Sequence, residues 1–186
     1  MAAIPSTMIP LGSKAPDFNL TDTVSGKNRS LKELRSDKAT LIVFICNHCP
    51  FVKHVNKELV KLANEYISQK VSFIAISSND IVEFPEDGPE LMKQEAATQG
   101  YPFPYLFDET QKIARAYDAA CTPDFFIYDK DLKLAYRGQL DDSRPSNGIP
   151  VTGKDIRNAL DSLIAGKPVS SEQKPSIGCN IKWKKG

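Results

Sequence analysis

Leu41-Ile-Val-Phe-Ile45 runs without a break into Cys46-Asn47-His48-Cys49-Pro50. Five apolar residues without polar alternation read as a strand covered on both faces. Pro50 suits the first turn of a helix, where its missing N–H costs no hydrogen bond. Val52, Val55, Leu59, Leu62 and Tyr66 then recur at helical spacing. Val71–Ser77 is a second strand, at the distance a β-α-β unit needs. Two thiols three residues apart therefore lie where a buried strand gives way to a helix N-terminus.

That placement carries chemistry. The thiolate, not the thiol, is the nucleophile, and free N–H groups with the dipole at a helix N-terminus favour an anion. Cys46 is expected to be the exposed attacker, and Cys49, one turn away, the more buried thiol that releases the mixed disulfide. Asn47 and His48 tune the pair. A hydrogen bond from His48 to the Cys46 thiolate would stabilise the dithiol and make the disulfide more oxidising. A zinc site needs four ligands. The chain has one CxxC and only His48 and His54 as histidines, so no metal is expected. His54 reads as a solvated helix residue.

The rest of the chain frames this unit. Ala15-Pro-Asp-Phe18, Asn19-Leu20 and Gly26 suggest an N-terminal hairpin, and Ser30 with Glu33 a capping box for a brief helix. Pro89 to Gln99, closed by Gly100, is an inserted helix. Tyr105–Phe107 is a short apolar run, and Asp108 with Gln111 looks like a cap pair for a helix ending near Tyr117. Phe125–Tyr128 and Leu132–Tyr136 flank Asp129-Lys-Asp131 as a hairpin. Thr152 is the expected cap of a last helix, Lys154 to Ala165. Residues 167–186 show no regular pattern, although they hold Cys179 and Trp183. The expected architecture is one α/β domain over residues 1–186, a mixed sheet with helices on both faces. Its core covers about 11–166, and an irregular C-terminal extension covers 167–186.

With 186 residues, 41% of them hydrophobic, and a formal net charge of +1, the chain suits a globular core. It carries no electrostatic footprint for nucleic acid or an anionic membrane. Its longest apolar run is too short to span a bilayer, and Met1–Leu11 lacks the features of a secretory signal. The expected location is cytoplasmic, where a CxxC is more often catalytic than structural.

Together with Thr122-Pro123 before Asp124-Phe-Phe-Ile-Tyr128, the strand–CxxC–helix unit resembles the thioredoxin-like superfamily over about Leu11 to Ala165. The resemblance implies a cis-proline at Pro123, packed against the CxxC and holding the Thr122 backbone open for an extended substrate. The Ala-Pro-Asp-Phe segment and the insertion around residues 79–104 look like the peroxiredoxin and membrane-tethered thioredoxin-like branches. The closest likeness is to the peroxiredoxin-like (AhpC/TSA-type) group that carries a thioredoxin CxxC, which implies an antioxidant role in cell redox homeostasis. There Cys49 matches the peroxidatic cysteine, and Arg144 is a candidate activating arginine. The peroxiredoxin Thr or Ser three residues upstream is here Cys46, and the Pro seven upstream is Ile42. Thioredoxin's aromatic residue before the first cysteine is Ile45, and its buried acid falls at Thr40.

Cys121, two residues before Pro123, is expected near the site. The tail, anchored by Ile177, Ile181 and Trp183, is expected to fold over the CxxC and offer Cys179 as a further redox partner. The leading function is thiol–disulfide exchange by Cys46 and Cys49 on a protein or small-molecule disulfide, with no cofactor beyond a thiol reductant. The alternative is a thiol peroxidase in which Cys49 attacks peroxide and Cys46 resolves. A metal-binding or chaperone-like module is the third reading.

Overall fold

The computed structural model describes residues 3–185; Met1, Ala2 and Gly186 lie outside the described residues. The elements run β1 (Ala3–Pro5), β2 (Asn19–Asp22), β3 (Asn28–Ser30), α1 (Leu31–Leu34), β4 (Ala39–Phe44), α2 (Pro50–Ile67) and β5 (Val71–Ser77). There follow α3 (Pro89–Gln99), β6 (Tyr105–Phe107), α4 (Lys112–Ala116), β7 (Cys121–Thr122), β8 (Asp124–Asp129), β9 (Leu134–Gly138), α5 (Lys154–Ile164) and β10 (Ile177–Asn180). Among the described residues, seven strands form one mixed sheet in the order β3-β2-β6-β5-β4-β8-β9. In it β4 lies parallel to β5 and antiparallel to β8.

Strand alternation assigns the layers. Leu41 and Val43 pack with Val52, Val55, Leu59 and Leu62 of α2 and with Ile156 and Leu160 of α5. Ile42 and Phe44 point the other way, to Leu31 of α1, Ala114 of α4 and Tyr117. Both faces of β4 are thus covered, which is why its sequence is apolar without alternation. Ser30 caps α1, its hydroxyl accepting from the Glu33 N–H at 3.2 Å, and Gly100 closes α3 in the left-handed region.

Four sequence expectations need correction. The tail is not irregular: β10 pairs antiparallel with β7 on one side and β1 on the other, a second sheet of three strands. Ile177, Cys179 and Ile181 do alternate with Gly178 and Asn180, but four residues are too few to mark a strand without their pairing partners. The second hairpin strand starts at Leu134, because Asp129 Oδ1 accepts from the N–H groups of Asp131 and Lys133 and widens the turn, with Leu132 left-handed. The last helix is preceded by Gly153, not Thr152. The Asp141 carboxylate accepts from both their N–H groups, at 2.6 and 2.7 Å, and fixes the approach, while the Thr152 hydroxyl accepts from the Lys154 N–H at 3.4 Å and the Leu140 carbonyl from that of Asp155 at 3.1 Å. At α4, Asp108 does cap, accepting from the Ala114 N–H at 2.9 Å. The Gln111 side chain instead donates to the carbonyls of Ser78 and Lys182 and so holds the tail.

The Thr122-Pro123 bond is cis. The residue after it, Asp124, is buried with Arg137 of β9, their polar atoms 3.2 Å apart. Asp124 also accepts from the Ala120 N–H, which fixes the approach to β7. Burial pushes the Asp124 carboxyl up to about 6 against the pull of Arg137. Between about pH 4 and 6 the native protein thus holds a proton that the unfolded chain has released. That contribution to stability is present at the acid end and lost as pH rises through about 6. Urea unfolding of wild type and Asp124→Asn is expected to show the difference moving against the wild type over that interval. A difference independent of pH would contradict the assignment.

Candidate active site

β4 and α2 are joined by five residues, 45–49, and α2 starts at Pro50 with Cys49 as its N-cap. The sequence placed the activated thiol at Cys46; the helix begins four residues later, at Pro50, and puts Cys49 at its N-cap instead. Neither thiol is exposed: Cys46 is 1% and Cys49 0% accessible. The expectation of an exposed Cys46 is therefore not met, because the 79–104 insertion and the tail pack over this end of the sheet. Cys46, Cys49, Cys121 and Cys179 are all free thiols.

The two CxxC sulfurs sit in opposite electrostatic surroundings. The Cys46 thiol interacts with Cys49 and, despite its own burial, Cys49 is held down to about 4. Cys179, the Thr122 hydroxyl and the Val52 N–H in the first turn of α2 also favour its ionised form. As a thiol, Cys49 donates to the Thr122 carbonyl at 3.2 Å. Cys46 goes strongly the other way: its proton is held by the bond to Cys49, by burial and by the negative charge of Asp87. Its sulfur is 3.4 Å from Thr122 Oγ1. The surroundings thus favour the proton on Cys46 and the charge on Cys49.

Asp87, which sequence reading missed, organises the loop between the cysteines. It closes a short 3-10 turn, Pro85–Asp87, in the insertion. Its Oδ1 accepts from the N–H groups of Asn47 and His48, at 2.8 and 3.2 Å. Its Oδ2 accepts from His48 Nδ1 at 2.6 Å and Asn79 Nδ2 at 2.8 Å. Burial alone would raise this carboxyl; His48, Asn79 and the Asn47 N–H outweigh it and hold it below the usual range. Asp87 is therefore a carboxylate, an acceptor only, so Nδ1 of His48 carries a proton. The expected hydrogen bond from His48 to Cys46 is replaced by this one, and the charge nearest Cys46 is negative. The His48 ring stacks on Phe84 at 4.8 Å. Asn47 donates to the Glu86 carbonyl and accepts from the Tyr105 hydroxyl. Cys46, His48 and Asp87 do bring three donor atoms within 4.8 Å of one another, but both Asp87 oxygens are already filled. Pro85-Glu-Asp-Gly-Pro89 is legible as a turn; nothing local tells which loop it meets.

The other candidates separate. Thr122 and Pro123 lie against the sulfurs as expected, but the Thr122 backbone is not open: it pairs with Cys179 of β10. Cys179 packs in the same apolar cluster as Cys46 and Cys49. Cys121, opposite Asn180 of β10, lies near Cys49 and Cys179 as expected but does not turn its sulfur to them. Its thiol turns to the Pro123 carbonyl at 3.7 Å, and burial keeps it protonated. Arg144 is not brought to the sulfurs: its guanidinium donates to Gln139 Oε1 and to the carbonyls of Asp141 and Ser143. Among the described residues no helix is long and apolar enough to cross a membrane.

The AhpC/TSA family model matches residues 11–137, from the N-terminal segment through β9. This chain belongs to the AhpC/TSA family. An uncharacterised conserved protein of Geobacillus kaustophilus is 63% identical, with a TM-score of 0.99 over 100% of this chain and 98% of its own. The thiol-disulfide oxidoreductase ResA of the same species is 27% identical over 160 residues, 84% of this chain and 80% of the relative. The peroxidoxin BcpB of Mycobacterium tuberculosis, 20% identical, shares the fold with a TM-score of 0.63 over 85% of this chain and 98% of its own. The fold is thioredoxin-like, and the chain stands among thioredoxin-like thiol oxidoreductases.

Titrating the reduced AhpC/TSA protein is expected to show one thiolate, by its far-ultraviolet absorbance, that is lost as pH falls through about 4. The step should vanish in Cys49→Ser and survive in Cys46→Ser at a higher pH, since Cys46 is the first donor to it. A step removed by Cys46→Ser instead would reverse the assignment.

Proposed function

We propose that the protein is a thiol–disulfide oxidoreductase in which Cys46 and Cys49 cycle between dithiol and disulfide. The observation that supports this most is the preformed thiol–thiolate pair at the start of α2. Attack by one thiolate on a disulfide R–S–S–R forms a mixed disulfide and releases R–S⁻. The Cys46 thiol then attacks the Cys49 sulfur, forms the Cys46–Cys49 disulfide and releases the other R–S⁻, the one proton of the pair passing from Cys46 to a leaving thiolate. Two electrons leave the protein, and a thiol reductant returns them. Since Cys49 carries the resting charge, it is the attacker and Cys46 the resolver, the reverse of the order read from sequence. Asn47 and His48, pinned to Asp87, keep the loop in register. With the Thr122 edge already paired, a small disulfide suits the resting site better than an extended polypeptide. A cytoplasmic setting, where thiol reductants keep CxxC pairs reduced, suits the cycle.

The resting thiolate at Cys49 favours one second reading, a thiol peroxidase. Cys49 would attack peroxide and become a sulfenic acid, and Cys46 would condense with it to the same disulfide, releasing water. Thr122 Oγ1 would supply from across the site the hydroxyl that Cys46 displaces upstream.

Steady-state reduction of a small aromatic disulfide is expected to fall to the uncatalysed rate in both Cys46→Ser and Cys49→Ser. Cys46→Ser alone should accumulate a mixed disulfide at Cys49. Stopped-flow oxidation by hydrogen peroxide separates the readings. Rapid Cys49-dependent oxidation without disulfide turnover would replace the exchange reading by the peroxidase.

A further inference from the structure

The α2 N-terminus offers few donors. Pro50 has no N–H, and the Lys53 N–H already bonds the Cys49 carbonyl at 3.0 Å. Those of Phe51 and Val52 remain, beside Cys49, the N-cap, and beside Cys179, which packs in the same cluster. A third cysteine, 130 positions beyond Cys49 in the chain, therefore shares the helix terminus with the CxxC.

β10 delivers it. Cys179 stands opposite Thr122 and Asn180 opposite Cys121 in an antiparallel pair. The approach depends on Gly178, where a Cβ would lie 2.0 Å from the Thr122 carbonyl oxygen. Ser176 Oγ donates to the Pro123 carbonyl at 2.6 Å on one side, and the Ile181 N–H to the Ala120 carbonyl at 3.1 Å on the other. Cys179 is 3% accessible and packs in the same cluster as Cys49, whose sulfur lies 3.2 Å from the carbonyl of Thr122, the residue opposite Cys179. The chain has laid its own extended, cysteine-bearing segment along the edge next to the reactive pair, in the position of a bound substrate strand.

We propose that Cys179 is a third redox residue, which takes the disulfide from the CxxC and by doing so locks β10 over the site. The inference rests on the Cys46–Cys49 cycle above. In the step, the Cys179 sulfur attacks Cys49 Sγ of the Cys46–Cys49 disulfide. The Cys49–Cys179 bond forms, the Cys46–Cys49 bond breaks, and Cys46 leaves as a thiolate that takes the proton given up by Cys179. One disulfide replaces another, so no external oxidant or reductant takes part. Cys49 is the N-cap of α2 and Cys179 packs beside it; burial keeps Cys179 a thiol until it attacks, and Cys46 beside Asp87 is the sulfur best suited to take the proton. The oxidised enzyme then has a covalently fastened β10 and a closed Thr122 edge; the reduced enzyme holds β10 by hydrogen bonds alone, and a competing strand can displace it. Oxidation state thereby decides whether the site admits a polypeptide or only a small disulfide.

The test oxidises the full-length reduced protein with one equivalent of oxidised glutathione, blocks free thiols with N-ethylmaleimide, and maps tryptic peptides without reduction. Cys46 and Cys49 share one peptide and Cys179 lies in another, so the transfer reads out as a cross-link between them. Wild type and Cys46→Ser are expected to carry that cross-link, and Cys49→Ser and Cys179→Ser to lose it. Wild type with only the Cys46–Cys49 bridge, and Cys179 fully alkylated in it and in Cys46→Ser, would overturn the proposal while leaving the exchange function intact. Absence of both bridges would instead remove the exchange function on which it rests. As a second readout that needs no cysteine variant, limited proteolysis is expected to cut near β10 more slowly in the oxidised than in the reduced protein. Equal rates would count against the lock.

Discussion

The structure turns on the first turn of α2, where two backbone N–H groups have no helical partner and three sulfurs gather. Every other element near the site can be understood by what it brings to that point. β4 delivers Cys46 from the buried strand, the cis Thr122-Pro123 loop brings a hydroxyl and a carbonyl, and β10 brings Cys179. Pro50 sharpens the arrangement: by having no N–H it leaves the donors of Phe51 and Val52 as the only two the terminus presents before the helix ladder starts.

Burial on its own would raise both CxxC thiols, because the charged form loses its water. That the two diverge is a matter of neighbours. Cys49 has donors on several sides, and those contacts outweigh its desolvation; Cys46 donates to it and faces the Asp87 carboxylate. A motif of four residues with symmetric cysteines thus becomes a polarised pair. After the bond between the two sulfurs and burial, Asp87 adds to this from a loop that also fixes the Asn47 and His48 backbones. The buried Asp124–Arg137 pair does comparable work for the opposing wall, tying Ala120 and β9 to the strand that follows Pro123.

Much of the frame was legible because it rests on local signals. The β4-α2-β5 unit follows from an unbroken apolar run and a helical stripe, the inserted helix from Pro89 and Gly100, and the N-terminal hairpin and short α1 from their turn and cap residues. What failed did so where a distant group supplied the partner. Thr152 looked like the cap, but Gly153 holds that position and the Leu140 carbonyl takes the next N–H groups; Gln111 looked like a cap, but its amide binds the tail; the alternation of Ile177, Cys179 and Ile181 is too short to mark β10 until β7 and β1 pair with it. Within the site, the cysteines, Thr122 and Pro123 were named from the motif, but Asp87 was not, and Arg144 was credited with a contact it does not make.

The chain by itself determined that two thiols would stand at the end of a buried strand and the start of a helix, opposite a proline loop, because spacing and periodicity encode those elements over short stretches. Which thiol carries the charge, what His48 binds, and whether the Thr122 edge is open were decided only by the tertiary structure. Those properties depend on Asp87 and on β10, which lie about forty and more than a hundred residues away from the motif. A hydrogen bond or a charge acts over a few ångströms of space, and no periodicity along the sequence records which remote segment the fold will bring that close.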